Sequence, residues 1–320
     1  MAFTEYRTSP GRARVAAVTG YSHRIPGAGA GLTEVARPPG TIRRMPLNFD
    51  LAGKTYEPVS VTVTADQIAE YAAASGDANP AHVRGDDQVA SAVFAVVPAF
   101  GLMGATILDP ELGVDNPLMI VHGEQHFDYY RPIHPGDELT LTASLESVED
   151  KGSGAAFVSK VALAGEGEKV VDVFATIFVR GAGSGTRTAR RTGRDAPQGR
   201  QVCRFTRRVA ADMPARYAAA SGDHNPIHLD DSVAKAVGLP GVINHGLGSL
   251  SLVAGGLVLQ LAGGDVTRLR SLGCRFTSPV LPGEDLTTTV FAGGEGSYTW
   301  SATRPAGVTA LRGTLQTVAG

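Results

Sequence analysis

The sequence contains little cysteine, little net charge and little lysine, and each shortage excludes a class of structure or partner. Its 320 residues include two cysteines, Cys203 and Cys274, which lack the CxxC spacing of a zinc site. A chain of this length needs no disulfide, so we expect two reduced thiols, buried or half-buried, in a cytoplasmic protein. The formal net charge of −2 gives no reason to expect a nucleic-acid or membrane-surface partner. Of the 29 basic residues 24 are arginine, which indicates a coding bias.

Long apolar runs are also scarce. The N-terminal region carries arginines without the apolar run of a signal peptide behind them. Two apolar stretches, 89–108 and 247–262, are interrupted by Pro98 in the first and by Gly255–Gly256 in the second. The second is also shorter than the roughly 20 residues that a bilayer requires. We therefore predict two buried core helices and no membrane span.

What the sequence does contain is a repeated motif of twelve residues. Tyr71–His82 (YAAASGDANPAH) and Tyr217–His228 (YAAASGDHNPIH) are identical at ten of twelve positions, which indicates an internal duplication. Each copy holds an acid, an amide and an imidazole on a sharp loop that follows a helix. These candidate residues are Asp77, Asn79 and His82 in the first copy and Asp223, Asn225 and His228 in the second.

The order of predicted elements repeats with the motif. We predict a flexible N-terminal arm at 1–45, a first unit at 46–180, a Gly/Ser/Arg linker at 181–200 and a second unit at 201–320. Each unit reads as a strand, a helix, the motif loop, a long apolar helix and four strands at hairpin spacing, which is typical of an antiparallel sheet. The predicted fold class is α+β, with two joined copies of one unit.

Local signals place the helices. Thr64 and Gln67 form a capping box for a helix over 65–75 that ends at Gly76. Asp212 is predicted to cap the corresponding helix of the second unit. The two apolar helices are predicted near 99–108 and 245–261.

The second motif and the segment Leu239–Gly246 (LPGVINHG) together resemble the signature of MaoC-like, (R)-specific enoyl-CoA hydratases. The order of elements resembles a double hotdog, in which two fused units each wrap an antiparallel sheet around one long apolar helix. This resemblance implies hydration of trans-2-enoyl thioesters, or dehydration of (3R)-hydroxyacyl thioesters. It implies no metal and no redox cofactor, with a coenzyme A or acyl-carrier thioester as the substrate. The two units would pair as a pseudo-dimer within one chain, and a homodimer stays open.

The residue types suit that reaction. Water must lose a proton as it attacks the β-carbon, and the α-carbon must gain one, so an acid–base pair in reach of one water suffices. We expect Asp223 and His228 to hold this water, with Asn225 fixing the water and the loop. Negative charge develops on the thioester carbonyl, and the resemblance assigns its N–H donor to Gly246 at the start of the apolar helix. His245 is expected to contact the substrate.

The first copy leaves three readings open. Asp77, Asn79 and His82 could form a second active site, a relic of one, or a structural loop. The doubt arises because Phe100 is aligned with His245 when the two copies are compared. A metal site built from the motif residues is not expected, because no further His or Cys cluster has ligand spacing.

Other polar and aromatic residues give weaker signals. Tyr129 and Arg131 are predicted to meet the nucleotide of coenzyme A by stacking and phosphate contact. His122 and His126, on an alternating strand, are interpreted as packing or surface residues, and Trp300 as a core residue. Two other functions remain open at this point: an acyl thioesterase, and a non-catalytic acyl-thioester-binding subunit.

Overall fold

The computed structural model describes residues 47–185 and 199–318 of the chain. The predicted N-terminal arm and the linker segment 186–198 lie outside the described residues. The elements of the first half are β1 (Val59–Thr62), α1 (Ala65–Ser75), α2 (Val96–Ile107), β2 (Ile120–Tyr129), β3 (Glu138–Asp150), β4 (Gly154–Gly165) and β5 (Glu168–Arg180). Those of the second half are β6 (Gln201–Arg208), α3 (Met213–Ser221), α4 (Asp231–Ala236), α5 (Gly246–Ala262), β7 (Leu269–Phe276), β8 (Asp285–Ala292), β9 (Ser297–Thr303) and β10 (Thr309–Thr317).

Within the described residues the ten strands form one antiparallel sheet. Its order is β1-β3-β4-β5-β2-β7-β10-β9-β8-β6, so each half contributes five strands in equivalent positions. The halves join at β2 and β7, where Glu124 pairs with Arg275 and Gln125 with Cys274. The predicted α+β class and the duplication are confirmed.

The two apolar helices pack against this sheet. The helix α2 packs against β3, β4 and β5, while α5 packs against β6, β7 and β10. Most residues of α5 are buried, as its continuous apolar pattern predicts. Trp300, on β9, is fully buried, which confirms its assignment to the core.

The repeated motif also joins the two halves. Tyr71 and Tyr217, the first residues of its two copies, are 146 positions apart in sequence, yet their hydroxyl oxygens lie 3.0 Å apart. The hydroxyl of Tyr71 also contacts Ser251 Oγ on α5 at 2.8 Å. Since all three groups are buried, this network satisfies their polar atoms at the contact between the halves.

Most helix signals are confirmed, with three differences. The Thr64–Gln67 capping box is present, and Gly76 ends α1 in the left-handed conformation. The helix α2 starts at Val96 rather than near Ala99, because Pro98 then falls in the first turn, where no intrahelical N–H bond is lost.

Asp212 occupies the predicted cap of α3, but its side chain binds Arg216 at 3.0 Å instead of a backbone N–H. The short helix α4 was not predicted, because six residues are too few to show a helical period. It is capped by Asp230, whose side chain accepts the N–H groups of Ser232 and Val233.

The two cysteines and the apolar helices fit what the composition predicts. Cys203 is half-buried and Cys274 is buried, and both are free thiols, as predicted. Among the described residues, no helix combines the length and the apolar character that crossing a membrane requires.

Candidate active site

Both copies of the motif fold into the same loop. Each helix ends at a glycine with positive φ, +73° at Gly76 and +79° at Gly222, which explains the glycine before the aspartate. Each aspartate and asparagine then accepts a backbone N–H two residues on, and a short 3-10 turn ends at the histidine. The pairs are Asn79 N–Asp77 Oδ1, Ala81 N–Asn79 Oδ1, Asn225 N–Asp223 Oδ1 and Ile227 N–Asn225 Oδ1, at 3.1, 3.1, 3.1 and 3.3 Å.

In the second copy, the ring of His228 is held in one orientation. Its Nδ1 lies 3.0 Å from the carbonyl oxygen of Ile243, and because a carbonyl only accepts, Nδ1 carries the hydrogen. Burial lowers the pKa of His228 below its ordinary 6.5, although the Asp223 carboxylate opposes the shift. The neutral ring therefore presents the lone pair of Nε2.

His245 supports the catalytic loop from the start of α5. Its Nε2 donates to the backbone carbonyl of Asp223 at 2.9 Å, and its ring centroid lies 3.8 Å from that of His228. Burial, followed by repulsion from a charged His228, lowers the pKa of His245 to about 4. A contact of His245 with substrate stays a prediction, since the structure gives this ring a positioning contact.

The three side chains form one cluster. One ligand-type atom from each of Asp223, His228 and His245 lies within 4.8 Å of the others. A single water that bonds two polar groups spans about 5–6 Å between them, so this spacing suits the predicted shared water. A divalent cation could bind the same atoms. Treatment with a chelator distinguishes a bound water from a bound cation.

Gly246 adds a backbone donor beside this cluster. It is the first residue of α5, where N–H groups have no intrahelical partner and the helix dipole is positive. Gly246 is exposed although His245 and Leu247 on either side are buried. A Cβ at this position would lie 3.3 Å from the ring of Phe276. Glycine therefore lets the backbone of residue 246 lie close to that ring without a steric clash.

The first copy uses the same residues differently. His82 Nε2 lies 3.4 Å from Asp77 Oδ2, with 1% and 9% of the side chains exposed. The Asp77 carboxylate packs so tightly against Gly255 of α5 that a Cβ there would be 2.8 Å away. The amide of Asn79 donates to Gly264 O, beyond the end of α5, at 2.6 Å. These contacts dock the first loop against the other half and favour the structural-loop reading.

The alignment of Phe100 with His245 is wrong. His82 Nδ1 binds Val89 O as His228 Nδ1 binds Ile243 O. The next residues also correspond, because Ala90 N donates to Ile133 O and Asn244 N to Val280 O. Ser91 is therefore the counterpart of His245.

The error has a simple origin. Nine positions separate His82 from Ser91, whereas 17 separate His228 from His245. The extra segment of the second half contains α4. The first copy is therefore eight residues shorter here, and the pair Phe100–Gly101 inside α2 was matched to His245–Gly246 by its glycine alone.

Tyr129 and Arg131 line a cavity of about 180 Å³ beside the first motif loop, together with Ser91 of the same half and Leu269 of the second half. The hydroxyl of Tyr129 donates to Ala92 O at 2.8 Å. The guanidinium of Arg131 makes two hydrogen bonds to the carboxylate of Asp137, at 2.8 and 3.1 Å. Since that charge is already paired, a nucleotide contact by these residues stays a prediction.

The strand histidines divide into two kinds. His126 is partly exposed and binds Asp128 at 3.0 Å, as a surface residue should. His122 was missed: its Nε2 is enclosed without a hydrogen-bond partner in the described chain, and its ring lies 5.0 Å from Phe276 beside the cluster. Comparing the two repeats strand by strand could have found it, because the equivalent residue is Leu269.

Comparisons with known proteins agree with this fold. The MaoC like domain matches residues 192–309, and the FAS1-like dehydratase domain region matches residues 50–173. The 3-hydroxyacyl-thioester dehydratase Y of Mycobacterium tuberculosis is 31% identical over 65% of this chain and 72% of its own length. The chain belongs to the MaoC-like dehydratase family.

Solved structures show the same architecture. A MaoC-like dehydratase from Phytophthora capsici superposes with a TM-score of 0.73 at 24% identity, over 85% of this chain and 98% of that one. A Mycobacterium tuberculosis protein described as a double hotdog superposes with a TM-score of 0.57 at 12% identity, over 85% and 98% of the two chains. The MaoC-like chain is thus a double hotdog, with the pseudo-dimer formed by its own halves.

Proposed function

We propose that this chain catalyses the (R)-specific hydration of trans-2-enoyl thioesters and the reverse dehydration of (3R)-hydroxyacyl thioesters. The observation that carries the proposal is the second motif loop, where Asp223 and His228 meet close to Gly246, an exposed residue at the start of α5. The dehydratase name of the Mycobacterium tuberculosis relative supports the same reaction class. The acyl carrier is coenzyme A or an acyl carrier protein.

The proposed chemistry begins with His228. Its Nε2 lone pair takes one proton from the bound water, while the Asp223 carboxylate accepts a hydrogen bond from the O–H that remains and stabilises the imidazolium that forms. The hydroxide oxygen adds to the β-carbon, and the electron pair of the double bond moves toward the thioester carbonyl. The imidazolium then returns its proton to the α-carbon, so the net change is the addition of one water. Each acid–base contribution is typically about 10²–10⁴-fold.

The N–H of Gly246 stabilises the enolate-like oxygen. Its place at the first turn of α5 combines a free donor with the positive end of the helix dipole. His245 holds the backbone of Asp223, and Asn225 holds the turn to His228, so both are positioning residues in this scheme. No cofactor takes part in any step, and the cytoplasm stays the predicted location.

Ultraviolet absorbance of the conjugated thioester, measured with crotonyl-CoA, tests the proposal. We expect the absorbance to fall without release of free thiol, and the product to be the (3R)-hydroxyacyl thioester by chiral analysis. A fall with equimolar free thiol would identify a thioesterase. Binding without any change in absorbance, across a panel of acyl lengths and both carriers, would identify a non-catalytic subunit.

A further inference from the structure

Two neighbouring polar side chains of the first half lie enclosed against the second-half site and leave buried polar atoms without a hydrogen bond. They are His122 and Gln125 on β2. The Nε2 of His122 and both amide atoms of Gln125 are buried and lack hydrogen-bond partners among residues 47–185 and 199–318. A buried polar group without a partner is destabilising, so two such side chains side by side are unfavourable unless a ligand completes their bonding.

A β-bulge puts both side chains on the inner face of the sheet. The register between β2 and β5 shifts between His122 and Glu124, so His122 pairs with Ile177 and Gln125 with Ala175. Cross-strand partners share a face, and both partners on β5 are buried in the core. In a regular strand two residues three positions apart point to opposite faces, and the bulge at Gly123 is what brings His122 and Gln125 to the same one.

The second half shows what the inner face looks like without this polar pair. The strand β7 is the counterpart of β2 and has its own irregularity at the equivalent place, between Leu269 and Ser271 in its pairing with β10. The residues that correspond to His122 and Gln125 are Leu269 and Leu272, both buried and apolar. The fold therefore accepts leucine at both positions, and the polar pair is specific to β2.

The polar pair lies where it can reach a substrate of the second-half site. Leu269 of the second half lines the cavity beside the first motif loop, together with Ser91 of the first half. By the same symmetry His122 lies next to His245 and Gly246. Two observations support this placement. The His122 ring contacts Phe276, whose ring lies beside Gly246. The Asp223 carboxylate is also near enough to His122 to raise the pKa of its ring, against the larger effect of burial.

The expected charge state narrows the ligand chemistry. Burial lowers the pKa of His122 to about 4, and the nearby Gln125 side chain and Asp223 carboxylate oppose this only in part. A neutral imidazole and a neutral amide do not attract phosphate. They suit a hydroxyl, a carbonyl or an amide.

We propose that His122 and Gln125 form a neutral polar subsite, contributed by the first half, that hydrogen-bonds an uncharged oxygen or amide group of the thioester bound at Asp223 and His228. The inference rests on the proposed function, because it places the thioester at that site. The group read by the subsite is either an oxygen substituent on the acyl chain or an amide of the pantetheine arm. His122 and Gln125 are specificity residues in this scheme and take no part in proton transfer.

Binding of saturated thioesters tests the subsite without requiring turnover. Calorimetry with butyryl-CoA and 4-hydroxybutyryl-CoA compares the wild type with His122→Leu and with the double variant His122→Leu/Gln125→Leu. Both substitutions copy the residues that β7 already has, so the fold should tolerate them. His126→Leu, the same change on the outer part of the same strand, is the matched control, and thermal unfolding checks that every variant is folded.

We expect the Kd to rise about 5- to 100-fold in the double variant and to stay unchanged in the control. A rise for both probes assigns the subsite to the pantetheine amides, and a rise for the hydroxylated probe alone assigns it to the acyl chain. Equal Kd values for the wild type and the folded double variant, with both probes, would overturn the subsite and leave the proposed function standing. Failure of the wild type to bind saturated thioesters of every acyl length on both carriers would instead overturn the proposed function and the subsite with it.

Discussion

The two copies of the motif have nearly the same sequence and the same backbone, yet their side chains have different surroundings. In the first copy, Asp77 is pressed against Gly255 and Asn79 is bonded to Gly264, both contributed by the other half. In the second copy, Asp223 and His228 lie beside a second histidine and the exposed start of α5. The comparison teaches that the local motif builds the loop, while the segment after it and the facing helix decide what the loop can do.

The largest expected difference is between equivalent histidines. We expect His228→Gln to lower hydration turnover by about 10²–10⁴-fold, because the proton acceptor is lost. His82→Gln should keep near-wild-type turnover, since His82 faces Asp77 and Val89 inside the protein. Steady-state kinetics on an enoyl thioester check both variants. Comparable losses in the two would mean that the first copy also takes part in the reaction.

The packing of the first loop can be tested by stability. Gly255→Ala would place a methyl group 2.8 Å from the Asp77 carboxylate, whereas at Gly101 of α2 a Cβ meets nothing within 4 Å. We expect Gly255→Ala to lower the free energy of unfolding by about 1–3 kcal/mol through overpacking. Gly101→Ala, the control, should be neutral or stabilising by up to about 1 kcal/mol because alanine favours helix. Denaturant unfolding measures both, and an unaffected Gly255→Ala would show that the loop is loosely packed.

The pH dependence of kcat/KM distinguishes a buried His228 from a solvent-exposed histidine. The lowered pKa of His228 keeps the ring neutral to pH values below the ordinary 6.5. Because the neutral ring is the proton acceptor, kcat/KM for hydration should stay level from pH 8 down through 6.5 and fall only below that value. A half-maximal point at or above pH 6.5 would be inconsistent with a buried neutral base.

The smallest expected effect concerns metal. Asp223, His228 and His245 are close enough to bind a cation, yet the proposed reaction needs none. Prolonged treatment with EDTA should therefore leave turnover unchanged. A loss of turnover that added Zn²⁺ restores would show that the second loop holds a catalytic metal. The two copies would then differ by a bound metal and not only by their surroundings.

The sequence predicts the architecture well because its signals are local or repeated. The capping box at Thr64, the glycine after each motif helix and the strand alternation all determine structure within a few residues. The duplication then supplies the relation between halves, and the sheet order agrees with it.

The parts that could not be predicted depend on contacts across the chain. The different length of the segment after each motif hid the equivalence of Ser91 and His245, because α4 has too few residues to show a period. His122 looked like any strand histidine until the bulge at Gly123 turned it inward toward the other half. The docking of Asp77 on Gly255 also joins positions far apart in sequence, which no local pattern records.

The central claim is that the second copy carries the reaction while the first holds the structure. Initial rates of enoyl-thioester hydration for Asp223→Asn and Asp77→Asn, each shown to be folded by circular dichroism, test it most directly. The account predicts a loss of about 10²–10⁴-fold for Asp223→Asn and turnover close to wild type for Asp77→Asn. Near-wild-type turnover in Asp223→Asn, or an equal loss in Asp77→Asn, would contradict it.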